Sequence, residues 1–195
     1  MKKIELVYRE LLFREIEKGI KSHTQKGISE KLGLSLSTVN QALKPLRKMN
    51  AISVKPRAFS VVNPEKILFY WASVRNLQKD IVLKARVEMS AREIERCMPD
   101  NAAFTCYSGY KFSFGGVPAD YSEVYVYAPA GEIEKRFSFV KGAPNLFVLK
   151  MDDFVSGYGK ANTKAGLFVD LWNCHEWYAK DYLKAWRLKM HGLLE

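Results

Sequence analysis

Hydrophobic positions near the start of the chain recur with a helical period. Ile4, Val7, Tyr8, Leu11, Leu12, Ile16 and Ile20 fall three or four residues apart, predicting a first helix that ends near Gly19. Ser22 or Thr24 can cap a second helix running to Leu32, in which Ile28 and Leu32 share a face. Gly33-Leu34-Ser35 then reads as a sharp turn, with Gly33 suited to a left-handed helix end and Ser35 to the next N-cap. In a third helix, 36–49, Val39, Leu43, Leu46 and Met49 form the inward face. Its other side carries Ser37, Thr38, Asn40, Gln41, Lys44, Arg47 and Lys48. Pro45 removes one helical hydrogen bond and disfavours α geometry at Lys44, at a cost of about 3 kcal/mol. Two readings follow: a local kink, or a helix that ends near Lys44 and restarts.

The pattern then changes to short apolar runs. Residues 51–54 and 58–62 read as two strands joined by Lys55-Pro56-Arg57. Two helices joined by a tight glycine turn, followed by a basic hairpin, make a winged helix-turn-helix. In that arrangement the second helix enters the major groove of duplex DNA. Asn40 and Gln41 suit adenine, Lys44 suits guanine or phosphate, and Ser37, Thr38 and Lys48 supply further contacts. Lys55 and Arg57 on the wing suit flanking phosphates or the minor groove.

Asn63-Pro64-Glu65 starts another helix, with Ile67, Leu68, Trp71 and Val74 on its buried stripe. It is expected to connect two domains over 63–79, although it serves equally well as the last helix of the first. Beyond it, strands and helices alternate. Strands are expected at 82–89, 102–106, 123–128, 146–151 and 167–171. Helices are expected at 91–98 behind the Ser90/Glu93 capping box, in a short aromatic stretch ending near Phe114, and at 174–191, with Trp177, Leu183, Trp186 and Met190 among its apolar positions. The segment 132–139 suits either state. The expected fold is α+β: a winged helix-turn-helix over 1–62, the connector helix, and a mixed α/β domain over 80–195.

Charge sharpens this division. The net charge of +10 is uneven, for residues 1–62 hold 13 Lys and Arg against 5 Asp and Glu. The remainder holds 18 against 16. A basic block of this kind attracts polyanions. Three cysteines without CxxC spacing argue against a disulfide framework and make a reducing, cytoplasmic setting the default. The adjacent pair Cys174-His175 lacks the partners a metal site needs, so no metal is expected. No apolar run is long enough for a membrane span. Neither a phosphate-binding GxxxxGKS/T stretch nor a GxSxG nucleophile motif is present, and no cofactor is expected. Lys160 and Lys164 with Gly157 and Gly159 form a basic loop that suits phosphate or RNA, or is simply a mobile surface loop.

The stretches STVNQALKPL with its wing, FTCYSGYKFSFGG, SEVYVYA and FVDLWNCHEWYAKDYLKAW resemble the AbiEi-type antitoxins of toxin–antitoxin systems. That resemblance implies a nucleotidyltransferase-like second domain, repression of the chain's own operon, and a cognate toxin as protein partner. In catalytic nucleotidyltransferases three carboxylates hold two metal ions. Glu123 stands at the first place and Asp170 at the third, but Tyr125 occupies the second and Ser108-Gly109 reverses the expected Gly-Ser order. The expectation is therefore a non-catalytic regulator that binds operator DNA as a monomer or homodimer. The alternatives are a nucleotidyltransferase directed to nucleic acid by the winged helix, with Glu123 and Asp170 in its centre, and a protein-interaction scaffold.

Overall fold

The computed structural model describes residues 1–194, so the last residue of the expected 80–195 domain lies outside it. The chain divides into two units, Met1–Arg75 together with the end of the chain from Leu188, and Asn76–Arg187. The boundary therefore falls inside the expected 63–79 connector, and the final helix contributes to both units.

In the first unit, α1 (Lys3–Ile16), α2 (Gln25–Leu32) and α3 (Leu36–Lys48) pack as three helices. Val7, Tyr8, Leu11 and Leu12 of α1 are buried with Ile28 and Leu32 of α2 and Val39, Ala42, Leu43 and Leu46 of α3. The Tyr8 hydroxyl donates to Ala42 O across α1 and α3 at 3.1 Å. Helix α1 stops at Ile16, and Ile20, expected on its apolar face, is 42% exposed. Strands β1 (Ile52–Val54) and β2 (Phe59–Val61) form the antiparallel hairpin. Next, α4 (Pro64–Val74), capped by Asn63, packs on α1 and belongs to this unit. Trp71 Nε1 donates to Glu5 at 3.2 Å, and Tyr8 meets the Tyr70 ring edge-on at 5.8 Å.

The second unit is a four-stranded mixed sheet of β3 (Ile81–Ala85), β4 (Ala103–Thr105), β5 (Val124–Tyr127) and β6 (Leu146–Leu149), in the order β3-β6-β5-β4. β5 and β6 are parallel and the other pairs antiparallel. Its helices are α5 (Ala91–Arg96), α6 (Cys106–Phe114), α7 (Ala130–Arg136), α8 (Lys164–Trp172) and the part of α9 (Ala179–Leu194) up to Arg187, with single 3-10 turns at Leu77–Asp80 and Val155–Tyr158. The Ser90/Glu93 capping box opens α5. The undecided segment 132–139 is helical as far as Arg136 and extended from Phe137.

Alternation along EVYVYA places Val124 and Val126 in a cluster with Ile94, Phe104, Ile133 and Val148. Tyr125 and Tyr127 take the opposite face. Both faces are covered, so all four residues of β5 are buried. One expected strand is overturned: residues 167–171 lie inside α8. Thr163 caps that helix through Gly166 N at 3.0 Å, and its run from Ala165 to Leu171 is buried throughout. A continuous apolar run carries no period by which to separate a buried strand from a buried helix. The last helix also begins later than expected, and Trp177 lies before it, 76% exposed instead of packed.

Candidate nucleic-acid interface

The α2–α3 geometry is fixed by three local devices. Thr24 Oγ1 accepts from Gly27 N at 2.9 Å and starts α2. Gly33 ends it at φ +57°, a left-handed conformation in which a side chain would be strained. Ser35 Oγ accepts from Thr38 N at 3.1 Å and starts α3. With the inner face of α3 buried, the other side is turned to solvent. Ser37, Gln41, Lys44 and Lys48 are exposed at three- and four-residue intervals, and Asn40 and Thr38 are half-buried beside them. The Thr38 hydroxyl lies 2.9 Å from that of Ser35, so part of its capacity is taken by the cap. Leu36, at the first position of α3, is 53% exposed, an apolar group available to a thymine methyl that the polar pattern did not single out.

Helix α3 continues through Pro45, and the alternative of a break near Lys44 is not realised. Pro45 O accepts from Met49 N at 3.1 Å, and Ala51 N returns to Leu46 O at 2.9 Å, which closes the helix end. Asn50 there has φ +55°, a conformation asparagine tolerates better than most residues.

The wing is held from outside its own hairpin. His23 and Phe59 exchange both backbone hydrogen bonds at 2.8 Å, adding a bridge beside β2. The His23 ring is buried, with Nε2 3.3 Å from Glu15, and burial lowers its pKa below the ordinary histidine value against the opposing pull of Glu15. Lys55 N donates to Ala58 O at 2.8 Å in the turn, and Lys55 and Arg57 stand exposed at the tip.

Between the start of α2 and the wing lies a cavity of about 270 Å³ whose walls include Gln25, Lys26, Arg47, Lys55 and Arg57. Arg47 Nε is buried and has no protein partner. Four cations beside the first turn of α2 give this cavity the chemistry to receive one phosphate group. Arg47 was legible as a member of the polar helix face. Its place in one cavity wall with Thr24, Gln25 and Lys26 needed the fold.

The acids of this unit sharpen its surface charge. Glu5, Glu10 and Glu15 are buried, with partners Arg75 at 3.5 Å, Arg14 at 2.6 Å and Lys21 at 2.7 Å. The cations that remain outside therefore dominate what DNA would meet.

Residues 22–53 match a family of winged helix-turn-helix DNA-binding domains. The match spans α2 and α3 and ends inside the first wing strand. No curated protein and no solved structure matches the chain. The chain thus carries a winged helix-turn-helix DNA-binding domain followed by a mixed α+β unit. No described helix is long and apolar enough to cross a membrane.

The residues weighed for catalysis lie in the second unit in different settings. Asp170, expected on a strand, sits on α8 and is fully buried. Its Oδ2 accepts from Thr105 Oγ1 at 2.8 Å, Tyr127 OH at 2.7 Å and Asn162 Nδ2 at 3.1 Å. Glu123 precedes β5, half-buried, and accepts from Ser122 Oγ at 2.9 Å and from the Tyr178 hydroxyl. Tyr125 points to Glu176, 2.7 Å away, and its ring stacks on Phe147. Among the described residues no group of three His, Cys, Asp or Glu is arranged to hold a metal ion.

Proposed function

We propose that this chain is a transcription regulator that reads an operator with α3 and grips adjacent phosphates with the wing. The observation that carries the reading is the cavity at the wing root, where Arg47 lacks a protein partner at Nε beside Lys26, Lys55 and Arg57. A buried guanidinium edge without an acceptor is costly unless an external oxygen completes it, and a DNA phosphate supplies that oxygen.

The finer reading is an antitoxin-like autorepressor of a toxin–antitoxin operon. The order of elements supports it, a winged helix-turn-helix followed by a mixed α/β unit, together with the sequence resemblance described above. The second unit then acts as a surface for a cognate toxin, using a nucleotidyltransferase-like framework without catalysis. Support for the absence of catalysis comes from Asp170, whose Oδ2 is occupied by three internal donors, and from Tyr125, committed to Glu176.

Fluorescence anisotropy on the duplex upstream of the chain's own gene tests the reading across a salt series. Affinity is expected to fall steeply between about 50 and 200 mM salt. Asn40→Ala and Gln41→Ala are expected to erase the preference for that duplex over a random one, and Arg57→Ala to weaken both alike. If the wild-type chain holds its upstream duplex no tighter than a random duplex, the operator role fails.

A further inference from the structure

Two adjoining cavities in the second unit lie outside the winged helix-turn-helix. The larger, about 490 Å³, has Met98, Ala102 and Phe104 on its apolar side and Asp100, Asn101 and Ser156 on its polar side. The smaller, about 190 Å³, is walled by Arg92, Lys111 and the Phe112 ring. Glu95, Arg96 and Lys160 belong to both walls and join the two into one bipartite site.

The smaller compartment is cationic. Its buried carboxylate, Glu95, is already engaged by Lys111 Nζ at 2.5 Å and by the Tyr121 hydroxyl. Arg92, Arg96 and Lys160 stand exposed at the opening. Lys160 is held in place at both ends. Its ammonium lies 4.1 Å from the centre of the Phe112 ring. Its carbonyl accepts from Phe104 N at 2.9 Å, and Asn162 N donates to Phe104 O at 2.8 Å, which fastens the loop to the edge of β4. Gly159, at φ +108°, supplies the backbone conformation that brings the loop there. The basic loop noted in the sequence is thereby fixed against a cavity.

We infer that this site binds a nucleoside phosphate, with the phosphate in the smaller compartment and the nucleoside in the larger. Guanidinium forks and a fixed ammonium match phosphate oxygens. An apolar floor rimmed by a carboxylate, an amide and a hydroxyl matches a base and its ribose hydroxyls, and the volume falls within the roughly 300–1,000 Å³ of small-ligand sites. A nucleic-acid strand would need cations and stacking surfaces repeated along a groove, whereas the four cations here converge on one compartment.

Isothermal titration calorimetry of the full chain tests this with ADP, pyrophosphate, adenosine and single-stranded oligothymidylate as probes. ADP is expected to bind at one site per chain, more tightly than pyrophosphate or adenosine. Arg96→Gln and Lys160→Gln, both exposed and checked for folding by circular dichroism, are each expected to weaken ADP by about tenfold. The wing double variant Lys55→Gln/Arg57→Gln is expected to bind ADP unchanged, which separates this site from the DNA module. The inference falls if ADP gives no saturable heat, if the wing variant loses it, if pyrophosphate binds as tightly as ADP, or if oligothymidylate binds this site more tightly than ADP.

Discussion

In the first unit Glu5, Glu10 and Glu15 meet Arg75, Arg14 and Lys21. In the second, Asp170 meets Tyr127, Glu176 meets Tyr107 and Tyr125, Glu123 meets Tyr178, and Glu95 meets Tyr121 as well as Lys111. Burying a carboxylate requires partners in either case. Cationic partners cancel the charge locally, and in the first unit this withdraws three carboxylates from the surface that a polyanion would meet. Hydroxyl partners hold the carboxylate oxygens in place without cancelling their charge. The first unit is thus organised to present charge and the second to lock it into a hydrogen-bonded interior, a difference that fits a reader joined to a framework.

The comparison breaks most visibly in alkali. Burial, helped by nearby thiols and by Glu176, pushes the Tyr107 and Tyr125 hydroxyls well above the ordinary tyrosine value near 10. A folded-state pKa above the unfolded one means that the folded state keeps its proton while the unfolded chain releases it. The stability contribution is therefore complete below pH 10 and lost as pH rises towards the folded value. Each of the two groups contributes a slope of about 1.4 kcal/mol per pH unit, together about 4 kcal/mol by pH 11.5. Burial also raises the Tyr8 hydroxyl in the α1–α3 core, but the second unit holds more such groups, so hydrogen exchange followed by region is expected to show residues 76–187 losing protection between pH 10 and 11.5 ahead of that core. Loss of protection in both at the same pH would remove the distinction.

Asp170→Ala comes next. It leaves the donors of Thr105, Tyr127 and Asn162 facing a cavity, at about 1 kcal/mol each and about 3 kcal/mol in all. Urea denaturation should show that loss, with DNA affinity unchanged where the chain remains folded. A stable Asp170→Ala protein would mean that the hydroxyl network contributes little.

Local chemistry explains which features were legible beforehand. Ser35, Asn63 and the Ser90/Glu93 pair announced helix starts because cap and recipient lie three residues apart in sequence. The DNA-facing stripe was legible for a related reason, since the buried residues of α3 dictate which side remains outside. Asp170 was misplaced on a strand because an apolar run buried on every side has no periodicity. The wing-root cavity was invisible because Lys26, Arg47 and Lys55 converge only after the chain has folded back. The same holds for the His23–Phe59 bridge, and for the burial of three glutamates on a helix whose sequence reads as amphipathic.

A smaller effect sharpens the charge-presenting half of the comparison. Arg47→Gln removes one cation from the wing-root cavity while keeping an amide in its place. Affinity for any duplex should fall by about 1 kcal/mol, and the magnitude of the salt slope by about one unit, with sequence preference retained. A loss confined to the upstream duplex would place Arg47 among the base readers instead.

The smallest expected effect lies at the acid end. His23 is buried against Phe59 and faces Glu15, with Arg14 and Glu10 nearby, and burial lowers its pKa below 6.5. The unfolded chain therefore takes up the proton first as pH falls. The stability contribution is complete above about pH 6.5 and declines below it, with a slope bounded by about 1.4 kcal/mol per pH unit. His23→Gln should flatten this decline in the first unit between pH 7.5 and 5.5, read as hydrogen-exchange protection of the wing strands. Because His23 pins the wing through its backbone, the hairpin itself should persist in the variant, and only its pH dependence should change. An unchanged or steeper decline in the variant would show that the His23 ring does not set the acid sensitivity of this unit.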